Sequence, residues 1–233
     1  MKNKTLWKQV GAAAIAAAMV MSTVPATPVQ AAGGKTLAVS SQKQLNQALK
    51  TVKGKNAVIT VKAGKNVKIT IPKGTYKVTI RVVGKKAAVV NNGTVKEIVV
   101  NSKGTVAIKN NGTIKKVTVQ NAKSVSFSGN HKKAVPVVVN AEDVSMILAA
   151  PAKITAKKDV NIVLKKGAEK SSITCTKNVQ AQVDNQTKKA ISVKIADGTT
   201  LKVESGESCT ITPKGKKEDT SGEDKTDGKD QKT

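Results

Sequence analysis

Asn91-Asn92-Gly93-Thr94-Val95 recurs as Asn110-Asn111-Gly112-Thr113-Ile114, an offset of 19 residues. The segments that follow obey the same offset: Ile98 with Val117, Val100 with Val119, Val106 with Val125 and Ile108 with Phe127. Two short strands in each period of 19 or 20 residues are what a parallel β-solenoid needs, because each coil turns the chain fully and lays the next strand about 4.8 Å above the last. Outward from this pair the rhythm loosens. Upstream, Val58-Ile59-Thr60-Val61, Val67-Lys68-Ile69-Thr70-Ile71 and Val78-Thr79-Ile80-Arg81-Val82 alternate apolar with polar residues. Downstream, Val137 and Val139, Val144 and Met146, Val160 and Ile162, Ile173 and Cys175, Ile191 and Val193, and Leu201 and Val203 keep the two-residue period. Gly, Asn or Lys-Gly punctuates the runs. Asn101, Asn121 and Asn140 follow strands at spacings of 20 and 19, which predicts a ladder of stacked amides. The expected fold is therefore all-β, a single-stranded parallel β-helix with a short N-terminal capping helix. A β-sandwich built on the same alternation is the competing architecture.

Composition divides the chain into four regions. Lys2, Lys4 and Lys8 precede an apolar run from Val10 to Met21, and Val29-Gln30-Ala31 supplies a small-residue cleavage site, so residues 1–31 read as a signal peptide. The apolar run of 12 residues falls short of the roughly 20 that span a bilayer, and no second such run follows. A secreted, extracellular or cell-surface location is expected, with no transmembrane segment after cleavage. Residues 32–53 form a cap: Ser41-Gln42-Lys43-Gln44 fits a capping box, Leu45, Ala48, Leu49 and Val52 follow at helical spacing, and Gly54 stops the helix. Residues 54–213 are the solenoid body. Residues 214–233 hold six Lys and six Asp/Glu with no aliphatic residue, a composition expected to stay disordered.

The chain resembles the right-handed parallel β-helix proteins of the pectate-lyase-like superfamily. The helix Ser41-Gln42-Lys43-Gln44-Leu45-Asn46-Gln47-Ala48-Leu49 running into Val58-Ile59-Thr60-Val61, the Gly64 turn and the asparagine-punctuated coils carry that resemblance over most of residues 36–212. Enzymes of that superfamily that cleave acidic polysaccharides use clustered carboxylates to hold calcium or as an acid/base pair, often with an arginine base in the lyases. This sequence departs from them. Its body has nine scattered acidic residues, of which only Glu142 and Asp143 are adjacent, with Asp159 near in sequence. Solvated turn charges are the plain reading of these three, and a calcium site the remote one. The only histidine, His131, sits between Gly129-Asn130 and Lys132-Lys133, where an exposed loop residue is expected rather than a general base. No glycine-rich phosphate motif opens a helix. Neither catalytic residues nor a cofactor nor a metal is expected, and a polysaccharide lyase or hydrolase is the least favoured of the three functional readings.

Charge supplies the other clue. Forty-one basic residues face 15 acidic ones, and loss of residues 1–31 removes three of the former, leaving 38 against 15 and a formal +23. Arg81 is the only arginine, so the field is built from mobile lysine point charges rather than planar forks. Double lysines recur at Lys85-Lys86, Lys115-Lys116, Lys132-Lys133, Lys157-Lys158 and Lys165-Lys166, with Lys188-Lys189 beyond and Lys96 among the single ones. Two ammonium groups stacked one coil apart repel by about 0.9 kcal/mol even in water, which a linear polyanion laid along the solenoid would relieve. Lys85, Lys86, Lys96, Lys115, Lys116, Lys132, Lys133, Lys157, Lys158, Lys165 and Lys166 are the candidate polyanion-binding set. The expected partner is an anionic polysaccharide or cell-wall polymer, with a purely structural spacer as the alternative. Tyr76 and Phe127 are the only aromatics after residue 31, too few to stack bases, so specific nucleic-acid recognition is not expected. Cys175 and Cys209 are a candidate disulfide in an exported chain, or two small buried strand residues.

Overall fold

The computed structural model describes residues 35–62, 67–214 and the backbone of 217–219; the expected signal peptide, 1–31, lies outside these. In chain order the elements are β1 (Lys35–Val39), α1 (Gln42–Thr51), β2 (Ala57–Val61), β3 (Val67–Ile71), β4 (Thr75–Val82), β5 (Lys86–Asn91) and β6 (Thr94–Asn101). Next come β7 (Thr105–Asn110), β8 (Thr113–Ile114), β9 (Val117–Asn121), β10 (Ser124–Ser128), β11 (Val135–Val139), β12 (Val144–Ala149) and β13 (Ala152–Ala156). The chain finishes with β14 (Val160–Leu164), β15 (Ser172–Cys175), β16 (Ala181–Asn185), β17 (Ile191–Lys194), β18 (Thr200–Val203), β19 (Ser208–Ile211) and β20 (Lys217–Asp219). These strands alternate between two sheets. Sheet I runs β1-β2-β4-β6-β9-β11-β13-β15-β17-β18, with β8 on the side of β6, and sheet II runs β20-β19-β16-β14-β12-β10-β7-β5-β3. The architecture is a parallel β-solenoid of about eight turns, not a sandwich of antiparallel sheets.

Stacking aligns like with like. On the inner face of sheet I, Ile59, Ile80, Ile98, Val117, Val137, Ile154, Ile173 and Val193 are successive register partners. Opposite them in sheet II stand Ile69, Val89, Ile108, Phe127, Leu148 and Leu164. All of these side chains are buried. A column of Ile and Val from strands two sides of a coil apart fills the narrow interior, each fully buried side chain contributing on the order of 1.5–3 kcal/mol.

The asparagine-glycine repeat closes the corners of two coils. Asn91 and Asn110 are register partners and both are buried; Asn91 Nδ2 donates to Asn110 Oδ1 at 2.8 Å and to the carbonyl of Gly93 at 2.9 Å. The exposed companions pair as well, with Asn111 Nδ2 donating to Asn92 Oδ1 at 3.0 Å. Gly112 completes the motif because a Cβ there would lie 2.2 Å from the Gly93 carbonyl oxygen. The expected ladder of Asn101, Asn121 and Asn140 does not form. Asn101 and Asn121 are register partners, but Asn140 donates its N–H to the Val119 carbonyl, and no side-chain hydrogen bond joins the three among the described residues. Equal spacing in sequence did not place them on one column, because the offset between coils changes along the stack.

Two ends depart from the expected pattern. At the N-terminal end the cap begins with β1, paired in parallel with β2, before the helix starts. Ser41 is the N-cap and accepts from Gln44 N–H, whereas the Gln44 side chain reaches back one residue further than a capping box, accepting from Ser40 N–H at 2.7 Å. The helix also seals sheet II: Thr70 N–H donates to Gln42 Oε1 at 2.6 Å and Gln42 Nε2 donates to Thr70 O at 2.8 Å, so one side-chain amide stands in for a neighbouring strand. At the C-terminal end the winding reverses. β18 is antiparallel to β17 and β19 antiparallel to β16, the first reversal made through Asp197-Gly198, where Gly198 has φ +95°. β20 extends the reversed stack with residues of the tail expected to be disordered, since an open strand edge pairs with backbone whatever the side chains. The rest of that tail lies outside the described residues.

Candidate functional site

A two-sheet solenoid has two rows of corners. The forward edge turns sheet I into sheet II, and the return edge turns sheet II back into sheet I. The flat outer faces between them are nearly free of lysine in the middle of the stack. On sheet II, Ala88, Ala107, Ser126, Ile147 and Val163 form one outward column. On sheet I the corresponding column is Thr60, Arg81, Val99, Thr118, Val138, Thr155 and Thr174. Alternation places mostly β-branched and small residues on these pleated faces, with Arg81, Lys109 and Lys153 as exceptions, and most of the charge is left to the corners.

All eleven candidate lysines are exposed, but the structure divides them. Lys85, Lys86, Lys157 and Lys158 lie on the forward edge; Lys96, Lys115, Lys116, Lys132, Lys133, Lys165 and Lys166 lie on the return edge. Sequence reasoning missed Lys73, Lys77, Lys170, Lys188 and Lys189 as members of the return row, and Lys103, Lys123 and Lys177 as members of the forward row. A lysine at most of the corners was the available signal. Val95 and Ile114 are register partners, so Lys96 and Lys115 stand one above the other.

The two edges differ in their carboxylates. On the return edge, from residue 72 to 171, ten lysines meet only Glu97 and Glu169, while the last corner, with Lys188 and Lys189, lies beside Asp184 and against the turn from Glu204 to Glu207. Glu97 is engaged by Lys116 Nζ at 3.4 Å and by Thr118 Oγ1 at 2.6 Å. Glu169 is turned to the backbone, where Gly167 N–H at 2.9 Å holds its carboxyl below the usual carboxylate range. On the forward edge, from residue 83 to 180, seven lysines meet Glu142, Asp143 and Asp159, which share one polar recess with Lys157, Lys158 and Lys177. Lys158 Nζ donates to Glu142 Oε1 at 2.6 Å, and this contact lowers the glutamate pKa and raises that of the lysine. Asp159 Oδ1 accepts Gln180 N–H at 2.9 Å. The three acids expected as solvated turn charges are thus gathered by folding, yet a lysine and a backbone amide occupy two of them. Among the described residues no group of three or more His, Cys, Asp or Glu side chains is placed to hold a metal ion.

His131 is not the exposed loop residue expected. Its ring is half-buried, tilted against Phe127 at a centroid distance of 5.2 Å, with Nδ1 3.2 Å from the Asn110 carbonyl and Nε2 3.0 Å from the Pro151 carbonyl. Both ring nitrogens thus face backbone carbonyls in the coils on either side. Cys175 and Cys209 take the second of their two expected roles: both are buried, on different sheets, and not bonded to each other. Burial pushes the Cys175 thiol up to about 11. No helix of the described residues is long and apolar enough to cross a membrane. No family model, curated protein or solved structure matches this chain.

Proposed function

We propose that the protein is an exported, non-catalytic β-solenoid that adheres to anionic polymers outside the cell or at its surface, such as phosphate-bearing wall polymers or acidic glycans. The observation that carries this reading is the stacking of lysines at the corners of successive coils, with Lys96 directly below Lys115. Ammonium groups held one coil apart repel one another, and a polyanion threaded past them removes that repulsion while releasing its own counterions. The near absence of aromatic side chains supports a partner read by charge rather than by stacked bases or sugar rings. Within this reading the chain is a relative of the right-handed pectate-lyase-like β-helices without their acidic catalytic cluster, two of its three neighbouring carboxylates being tied to Lys158 and Gln180 N–H. Chromatography on heparin and on purified wall polymer tests the proposal. Retention that collapses steeply between low and high salt is expected; elution no later than a scrambled lysine-rich control ends the adhesion reading and leaves the spacer.

A further inference from the structure

The two edges of the solenoid are not equivalent. We infer that the return edge alone is the docking track, and that its occupant is a linear phosphate-ester chain, free of bases, running parallel to the solenoid axis; this rests on the polyanion reading.

Three features single that edge out. First, up to residue 171 its lysines have no competing carboxylate except Glu97, which is satisfied by Lys116 and Thr118, and Glu169, which is turned to Gly167 N–H; Asp184, Glu204 and Glu207 adjoin only its last corner. The forward row is interrupted midway, where Glu142 and Asp143 replace lysine and Lys158 is already paired. A polyanion on the forward edge would meet three negative charges near its centre, and like charges in close approach cost as much as the neighbouring lysines return.

Second, the return row runs along the stack. Its corners at residues 72–77, 92–97, 111–116, 129–134, 150–151, 165–171 and 186–190 are separated by six coil rises, roughly 30 Å at about 4.8 Å each. Only the corner at Ala150-Pro151 lacks a lysine, and Lys153 follows it. A chain of several charged repeats fits this length, whereas a single small anion would engage one corner.

Third, the chemistry of the row suits phosphate. Its cations are all lysines, point charges that bind phosphate without the bidentate fork that arginine offers carboxylate and phosphate alike, and the one arginine, Arg81, lies on the outer face of sheet I.

The test compares two quadruple variants of equal net charge by titration with inorganic polyphosphate as the probe. The first is Lys96→Gln, Lys115→Gln, Lys133→Gln and Lys166→Gln on the return edge. The second is Lys62→Gln, Lys103→Gln, Lys123→Gln and Lys177→Gln on the forward edge. All eight side chains are exposed, and circular dichroism melts confirm that both variants fold. The return variant is expected to bind at least tenfold more weakly, with a salt slope shallower by about 3, while the forward variant stays within about twofold of the parent. Affinity in the parent is expected to rise with chain length until the polymer spans the row. Equal losses in both variants would overturn the edge assignment while leaving the polyanion reading intact; failure of the unaltered protein to bind polyphosphate at low salt would overturn both.

Discussion

Asn91 Nδ2 donates to Asn110 Oδ1 one coil away, yet Asn110 Nδ2, equally buried, has no partner. The ladder stops at this second rung because the register continues from Asn110 to Gly129, where φ is +134° and an added Cβ would lie 1.9 Å from the Asn110 carbonyl oxygen, leaving no place for a side chain. Asn91 serves the carbonyls of Gly93 and Thr113 as well as Asn110, while Asn110 accepts from Asn91 and from Gly112 N–H. Asn91→Ala is therefore expected to cost about 2–4 kcal/mol in chemical denaturation, and Asn110→Ala distinctly less, since half of its amide is already idle. Equal losses would contradict this division.

Gly112→Ala tests the close approach of two coils. The added Cβ would lie 2.2 Å from the Gly93 carbonyl oxygen, backbone that cannot swing aside. A loss of about 1–3 kcal/mol is expected, with a lowered Tm and an unchanged circular dichroism spectrum. Gly54→Ala meets no atom within 4 Å, and its cost should come from the positive φ of 74° alone.

His131 bridges the coils on either side of its own: its ring nitrogens face Asn110 O and Pro151 O. His131→Phe preserves a ring beside Phe127 but removes both polar contacts. Each of those carbonyls also accepts a backbone N–H, from Asn130 and Val135 respectively, so the expected loss is modest, about 1 kcal/mol. Native-state hydrogen exchange at Asn130 and Val135 should quicken in this variant, and an unaltered exchange rate would argue against the staple.

Cys175 should be chemically quiet. Burial, with a smaller contribution from Asp159, raises its pKa from 9.0 to about 11, so the thiolate is scarce near neutrality. Iodoacetamide at pH 8 is expected to leave Cys175 unmodified in the native protein and to label it on unfolding. The stability tied to this protonated thiol is therefore complete below about pH 9 and is lost as the pH rises through about 11.

Glu142 carries the opposite sign. The Lys158 contact favours its ionised form, so its titration should be centred below that of a free glutamate, and the pair should open as the pH falls through that lowered midpoint. Carboxyl NMR of the parent and of Lys158→Gln measures this: the midpoint should return upward in the variant, while thermal stability hardly moves, because both side chains are exposed.

The coil repeat was legible where the register is constant. The 19-residue step from β5 to β7 is the same as the step from β7 to β10, so identical residues stack and the repeat is visible. Further on, Val125 pairs with Met146 at 21 residues and Val144 with Val160 at 16, and corner length rather than strand pattern absorbs the difference. The reversal after β17 left no mark in the alternation, because inward and outward residues alternate identically in parallel and antiparallel ladders. Only Asp197-Gly198 signalled it. The lysines could be counted from sequence, but their partition between edges could not be read without knowing which half of a coil each turn closes. His131 was misread for a related reason: what surrounds it is main-chain carbonyl from coils about 20 residues away in either direction.

The antiparallel closure at β18 and β19 also sets how such a chain can change length over generations. A duplicated unit of one coil inserted anywhere between β2 and β17 finds neighbours running in its own direction above and below, and merely lengthens both rows of corners. The same unit appended after β18 meets a strand pointing the other way. Growth by tandem copying is therefore confined to the interior of the stack, and the reach of the molecule scales with copies gained there while both termini stay as they are.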